Sequence, residues 1–113
     1  MLTAEEVRNR ILANTIADLE SSISEELLAT FDVIIDAEII KCLPYTIISK
    51  SSTRMADKII FKQSDEDIKN FVKLLTLKGY VVTPIFDDVV VNEQLNYKEK
   101  QIIAYKISWQ NKG

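Results

Sequence analysis

Between Val7 and Leu27 apolar side chains return at Val7, Ile11, Leu12, Ile16, Leu19, Ile23 and Leu27. Steps of three and four place them on one face of an α-helix. Thr3 stands three residues before Glu6, the spacing at which a hydroxyl caps one open amide and a carboxylate reaches back to another. Glu5 and Glu6 also suit the positive end of the helix dipole. The pattern predicts a single helix from about residue 4 to about residue 29. Such a helix would run about 39 Å, further than five-residue strands need as cover. Its seam of Leu12, Ile16, Leu19, Ile23 and Leu27 is therefore a candidate surface for association with copies of itself or with a partner. The plainer reading is that this face covers a sheet. Glu26 falls where a heptad would want an apolar residue, so a coiled-coil register is lost after about two repeats.

Beyond it, Phe31, Ile34, Ile35, Ile39, Cys42 and Leu43 also fall at helical spacing, with Asp32 placed to cap and Pro44 to end a second helix. A strand at Val33 to Ile35 is the alternative, but Asp36, Ala37 and Glu38 interrupt it. From Tyr45 the pattern turns β-branched and aromatic. Tyr45 to Ile48 and Lys58 to Lys62 read as strands joined by the polar loop Ser49 to Arg54. Ser64, followed by Asp65, Glu66 and Asp67, opens a helix whose apolar face is Ile68, Phe71, Val72 and Leu75, with Leu74 a further candidate, and Gly79 stands at its left-handed end. Tyr80 to Phe86 reads as a strand edged at Pro84, Asp87-Asp88 as a turn, and Val89 to Val91 as a further apolar run. Asn92 to Lys100 reads as a polar connection. Ile102 to Trp109 reads as a last strand with Ile103, Tyr105, Ile107 and Trp109 on one face.

The fold expected is one α+β domain. A helical part over residues 3–43 precedes a strand-strand-helix-strand-strand module over 45–110. The sheet would be small, antiparallel or mixed, of about four strands with one packed helix.

The function classes narrow by absence. The 113 residues include no histidine and only two glycines. The commonest general base and metal ligand is thus missing, and no glycine-rich phosphate loop can be built. Seventeen acidic against 14 basic residues, a net charge of -3, argue against nucleic-acid binding through a broad positive face and against attraction to anionic membranes. One cysteine, Cys42, fits a reducing compartment. It stands among Ile39, Ile40 and Leu43 and reads as a small buried hydrophobe. The start reads as no secretory signal, and apolar runs of four or five residues are too short to span a bilayer.

Leu75-Thr76-Leu77-Lys78-Gly79-Tyr80-Val81-Val82 and Ile107-Ser108-Trp109, behind a charged amphipathic first helix, resemble a set of small tailed-bacteriophage proteins. That resemblance implies a phage origin, a place in the virion or the host cytoplasm, and a non-catalytic role. It supplies no catalytic residues to carry over. The expected function is a non-enzymatic virion structural or assembly component acting as a homo-oligomer, with no cofactor. The alternative is a phage inhibitor of a host defence or host process that binds a host protein or a nucleotide signal.

Two further clusters have the right chemistry for a ligand. Lys50, Ser52, Thr53 and Arg54, with Ser51 and Lys58 nearby, offer hydroxyls and cations for an anion, although a solvated loop between two strands is the plainer reading, since no glycine lets backbone amides converge there. Asp87 and Asp88, helped by Glu93, offer oxygens for a divalent cation, against the simpler reading of a turn. Trp109 and Tyr105 alternate with polar residues and read as core.

Overall fold

The structure is a computed structural model and describes residues 1–110. Among the described residues, three of four helices pack on one face of a three-stranded sheet, and the first helix packs on the last. Helix α1 spans Ala4–Ser22 and α2 spans Glu25–Lys41; strand β1 (Tyr45–Ser49) follows, then α3 (Met55–Phe61), α4 (Asp65–Leu77), β2 (Val81–Asn92) and β3 (Tyr97–Ser108). The sheet order is β1-β3-β2, antiparallel throughout. The α+β class is as expected, with three strands in place of about four and four helices in place of three.

The expected single helix over residues 4–29 is two helices meeting at an elbow, and the second begins at Glu25, not Asp32. Ile23 is extended at φ -95°, ψ 146°, and Ser24 follows at φ -54°, ψ 130°. Serine chemistry explains the break. Ser21 Oγ donates to the Ala17 carbonyl and Ser22 Oγ to the Leu19 carbonyl, which competes with the helical ladder. Glu25 and Glu26 then open α2 in its first turn. At the other end, Cys42 takes the left-handed conformation, φ 57°, and its side chain is exposed rather than buried, because the chain reverses there before Pro44.

Lys58 to Lys62, expected as a strand, is instead most of α3. Asp57 and Ile60 are its buried positions, a spacing of three that belongs to a helix. Helix α4 matches its signals closely. The Ser64 hydroxyl accepts from the Asp67 amide at 3.1 Å, and Gly79 closes the helix at φ 98°.

The core gathers Ile23, Leu27, Phe31 and Ile34 from the elbow and α2. It adds Ile48 of β1, Ile60 of α3, Phe71, Leu74 and Leu75 of α4, and Ile107 of β3. Phe31 meets Phe71 and Tyr80 edge-on, with ring centroids 5.1 and 5.7 Å apart.

The largest departure is the hairpin. Strand β2 runs unbroken through Pro84, which an edge strand tolerates. Asp87 and Asp88 are not a turn but ladder positions opposite Gln101 and Lys100. The expected polar connection shrinks to four residues, 93–96, where Asn92 Oδ1 accepts from the Leu95 amide and Asn96 sits at φ 50°. The partners of Ile85 and Phe86 are Ala104 and Ile102, so Ile103 is an extra residue in a bulge. That bulge resets the alternation, and Ile102 rather than Ile103 shares the helix-facing side with Tyr105 and Ile107. Trp109 lies past the end of β3, its amide 3.5 Å from the Pro44 carbonyl.

Strand β1 pairs only with Ala104 to Ser108. The hairpin beyond it is a two-stranded ribbon with no buried residue from Phe86 to Lys100. It extends a molecule measuring 66 × 32 × 30 Å.

Candidate binding groove and the residues around it

Where α3 and α4 cross the bulged part of the hairpin they leave an open groove of about 680 Å³. Its floor is apolar: Phe61 from α3, Ile68 and Val72 from α4, Val82 and Pro84 from β2, and Ile102 and Tyr105 from β3. Phe61 and Tyr105 stack with centroids 6.0 Å apart and planes 19° from parallel. Lys50 Nζ stands 5.8 Å from the Phe61 ring centroid, a cation over an aromatic face. Lys69 and Asp65 line the α4 side and Gln101 the ribbon side. Burial pushes the Tyr105 phenol above its ordinary pKa, and the negative charge of Asp65 pushes in the same direction. The phenol therefore stays a neutral donor across the physiological range. An apolar bed with lysines at its margin suits a flat or extended ligand carrying negative charge.

The expected anion site is not assembled. Lys50 turns to this groove, whereas Ser52 and Arg54 line a second cleft of about 360 Å³ beside β1. Arg54 is already neutralised there. Its Nε pairs with Asp57 Oδ1, its Nη1 lies 3.6 Å from Glu38 Oε1, and its Nη2 donates to the Ile47 carbonyl at 3.2 Å. The Ser52 hydroxyl accepts from the Arg54 amide at 3.1 Å, and Thr53 is exposed in the loop. Two carboxylates facing one guanidinium leave no surplus positive charge for an anion. The spacing Arg54-x-x-Asp57 was the available signal of that pair, had α3 been recognised as a helix.

The expected association seam is divided by the elbow. Ile23 is 4% exposed and Leu27 is fully buried, so both belong to the core of the single chain. Ile16 and Leu19 are half-buried against that core. Leu12 is exposed, and with it Val7 and Ile11 on the first half of α1. Asp87 and Asp88 are neighbours in an extended strand and project to opposite faces, so they do not converge on a cation. Among the described residues no three acidic or cysteine side chains gather to hold a metal ion, and no helix is long and apolar enough to cross a membrane.

No family model, curated protein or solved structure matches the chain.

Proposed function

We propose that the protein is a non-enzymatic component of a tailed phage, a structural or assembly protein of the virion that acts as a homo-oligomer. One observation supports the homo-oligomer. Large apolar side chains are exposed on three parts that the core leaves uncovered: Val7, Ile11 and Leu12 on the first half of α1, Val33, Ile39, Ile40 and Leu43 on and just after α2, and Phe86, Val90, Val91, Leu95 and Tyr97 on the ribbon. Exposed apolar surface in several patches favours association over a solitary existence. The phage assignment is supported only by the resemblance at Leu75–Val82 and Ile107–Trp109. Light scattering across a wide dilution range tests the oligomer, and virion sedimentation in a density gradient tests the place. The expected results are a mass above that of the monomer and co-sedimentation with particles. A monomer at every concentration, absent from purified particles, overturns the proposal.

The groove favours a second reading, an inhibitor that captures a nucleotide signal or an acidic segment of a host protein. Stacked Phe61 and Tyr105 offer a bed for a base or another flat group, and Lys50 and Lys69 offer charge for a phosphate. Thermal shift with a panel of cyclic and linear nucleotides tests it. A rise in Tm that Lys50→Glu abolishes supports this reading, and no rise at millimolar nucleotide removes the nucleotide form of it.

A further inference from the structure

The sheet has three stretches of free edge, and the chain treats them differently. The outer edge of β1 is closed. Ile47 offers its carbonyl to Arg54 and Ser49 its amide to Asp57, so side chains take the bonds another strand would take. The second edge of β3 is open over residues 97–102, because β1 ends early. The outer edge of β2 is open over its whole length, with Pro84 in its proximal half.

Two copies joining like edges antiparallel about a two-fold axis place one residue opposite itself. The residues on either side of it then pair with each other. On β3 an axis at Lys98, Glu99 or Lys100 sets lysine on lysine or glutamate on glutamate, and an axis at Glu99 also sets Lys98 against Lys100. Directly opposed like charges are destabilising, so the edge rejects itself at these axes, and an axis at Gln101 would run into Ile103, whose carbonyl already accepts the Lys50 amide. Val90 pairs with Lys98 and Asn92 with Tyr97, so Val91 is the extra residue of a second bulge and the regular edge ends at Val90. On β2 an axis at Val89 sets valine on valine and Asp88 against Val90, and opposes no like charges. With the axis at Val89, one row across the joined ribbons reads Lys98, Val90, then Asp88 and Lys100 of the second copy, so each Asp88 keeps its own Lys100 beside it. The row through the axis holds a glutamate at each end, three strand spacings or about 14 Å apart, beyond the screening length at physiological salt.

We propose that the β2 edge over Asp88–Val90 joins the same edge of a second copy of this chain about a two-fold axis at Val89, forming a continuous four-stranded β3-β2-β2-β3 ribbon. This rests on the homo-oligomer reading and names its surface. Adjacent β-branched Val89 and Val90 on an open edge, with Val90 46% exposed, are the composition that strand addition uses. An isolated two-stranded ribbon is marginal in water, and pairing makes it four-stranded.

Cysteine cross-linking of the full chain tests the geometry, with Cys42→Ser as background and Val89→Cys, Val90→Cys or Glu99→Cys added singly. A cysteine on the axis faces its copy at about 4.5–5.5 Å between Cα atoms, within disulfide reach. Mild oxidation is expected to link Val89→Cys at least 10-fold faster than Val90→Cys or Glu99→Cys. Val90→Asp is the companion variant. It sets acid against Asp88 of the second copy, yet meets Lys98 within its own chain. It is expected to weaken association at least 10-fold in light scattering while the circular dichroism spectrum stays unchanged. A dimer that survives Val90→Asp, or that does not cross-link at Val89→Cys, overturns this edge and leaves the homo-oligomer standing. A wild-type monomer at all concentrations overturns both.

Discussion

Asp57 Oδ2 accepts the Ser49 backbone amide at 3.1 Å while its other oxygen holds Arg54, which in turn donates to the Ile47 carbonyl. A side-chain pair thus imitates the next strand of the ladder at the β1 edge. It explains how a carboxylate 1% exposed is tolerated: both oxygens are bonded, one to a cation and one to an amide. Asp57→Ala removes the acceptor and leaves Arg54 facing only Glu38. We expect a loss of about 2–4 kcal/mol, below the value for a fully buried pair because the guanidinium is partly open to water. Urea denaturation followed by circular dichroism measures it. A shift under about 0.5 kcal/mol would show that the pair is ornamental.

The elbow between α1 and α2 predicts a sharp contrast along one apolar seam. Leu27, with no exposed surface, should cost about 2–5 kcal/mol when cut to alanine. Leu12, 40% exposed, should cost under about 1 kcal/mol in the monomer. Matched denaturation curves decide this, run at a concentration where the chain is monomeric. Equal losses at the two positions would mean that the first half of α1 is buried in the folded chain.

These contrasts mark what the amino-acid order made legible. Helix α4 was readable end to end, since Ser64, the acidic first turn and Gly79 are local signals acting within a turn or two. The elbow was not, because the apolar period carries on across it: Ile23 and Leu27 both point inward although the backbone breaks between them. Helix α3 reads as a strand because Ile59-Ile60-Phe61 between lysines is too short for period to separate helix from strand. The ribbon was hidden for a different reason. Asp87-Asp88 looks like a turn until Gln101 and Lys100 pair with it, and that pairing is settled by the register of the whole hairpin. The groove draws on a loop, two helices and two strands, so local spacing groups Lys50 with Ser52, Thr53 and Arg54, and reads Tyr105 as core.

Tyr105 should report the groove spectroscopically. Its raised pKa means the folded state holds the phenolic proton more tightly than the unfolded chain does. The resulting stability is fully present below the ordinary tyrosine pKa near 10 and is lost as pH rises through the folded value. Absorbance titration at about 295 nm should show one of the four tyrosines ionising after the others. Tyr105→Phe should remove that last phase, and Asp65→Asn should move it toward lower pH by a smaller amount, since burial is the larger cause. A late phase that survives Tyr105→Phe would assign the shift to another tyrosine.

Gly79 tests backbone conformation apart from packing. A β-carbon built there meets nothing within 4 Å, so space is not the constraint. At φ 98° an L-residue is strained all the same, and the position ends α4 one residue before Tyr80, whose amide donates back to the Leu75 carbonyl at 3.0 Å. Gly79→Ala should therefore cost about 1–2 kcal/mol. Gly79→Asn should recover part of that, because asparagine visits the left-handed region more readily. If alanine and asparagine cost the same, the local strain is being relieved by a shift of the α4 terminus. Loss of protection at the Tyr80 amide in hydrogen exchange would then reveal that shift, since the bond to Leu75 depends on the turn that Gly79 makes.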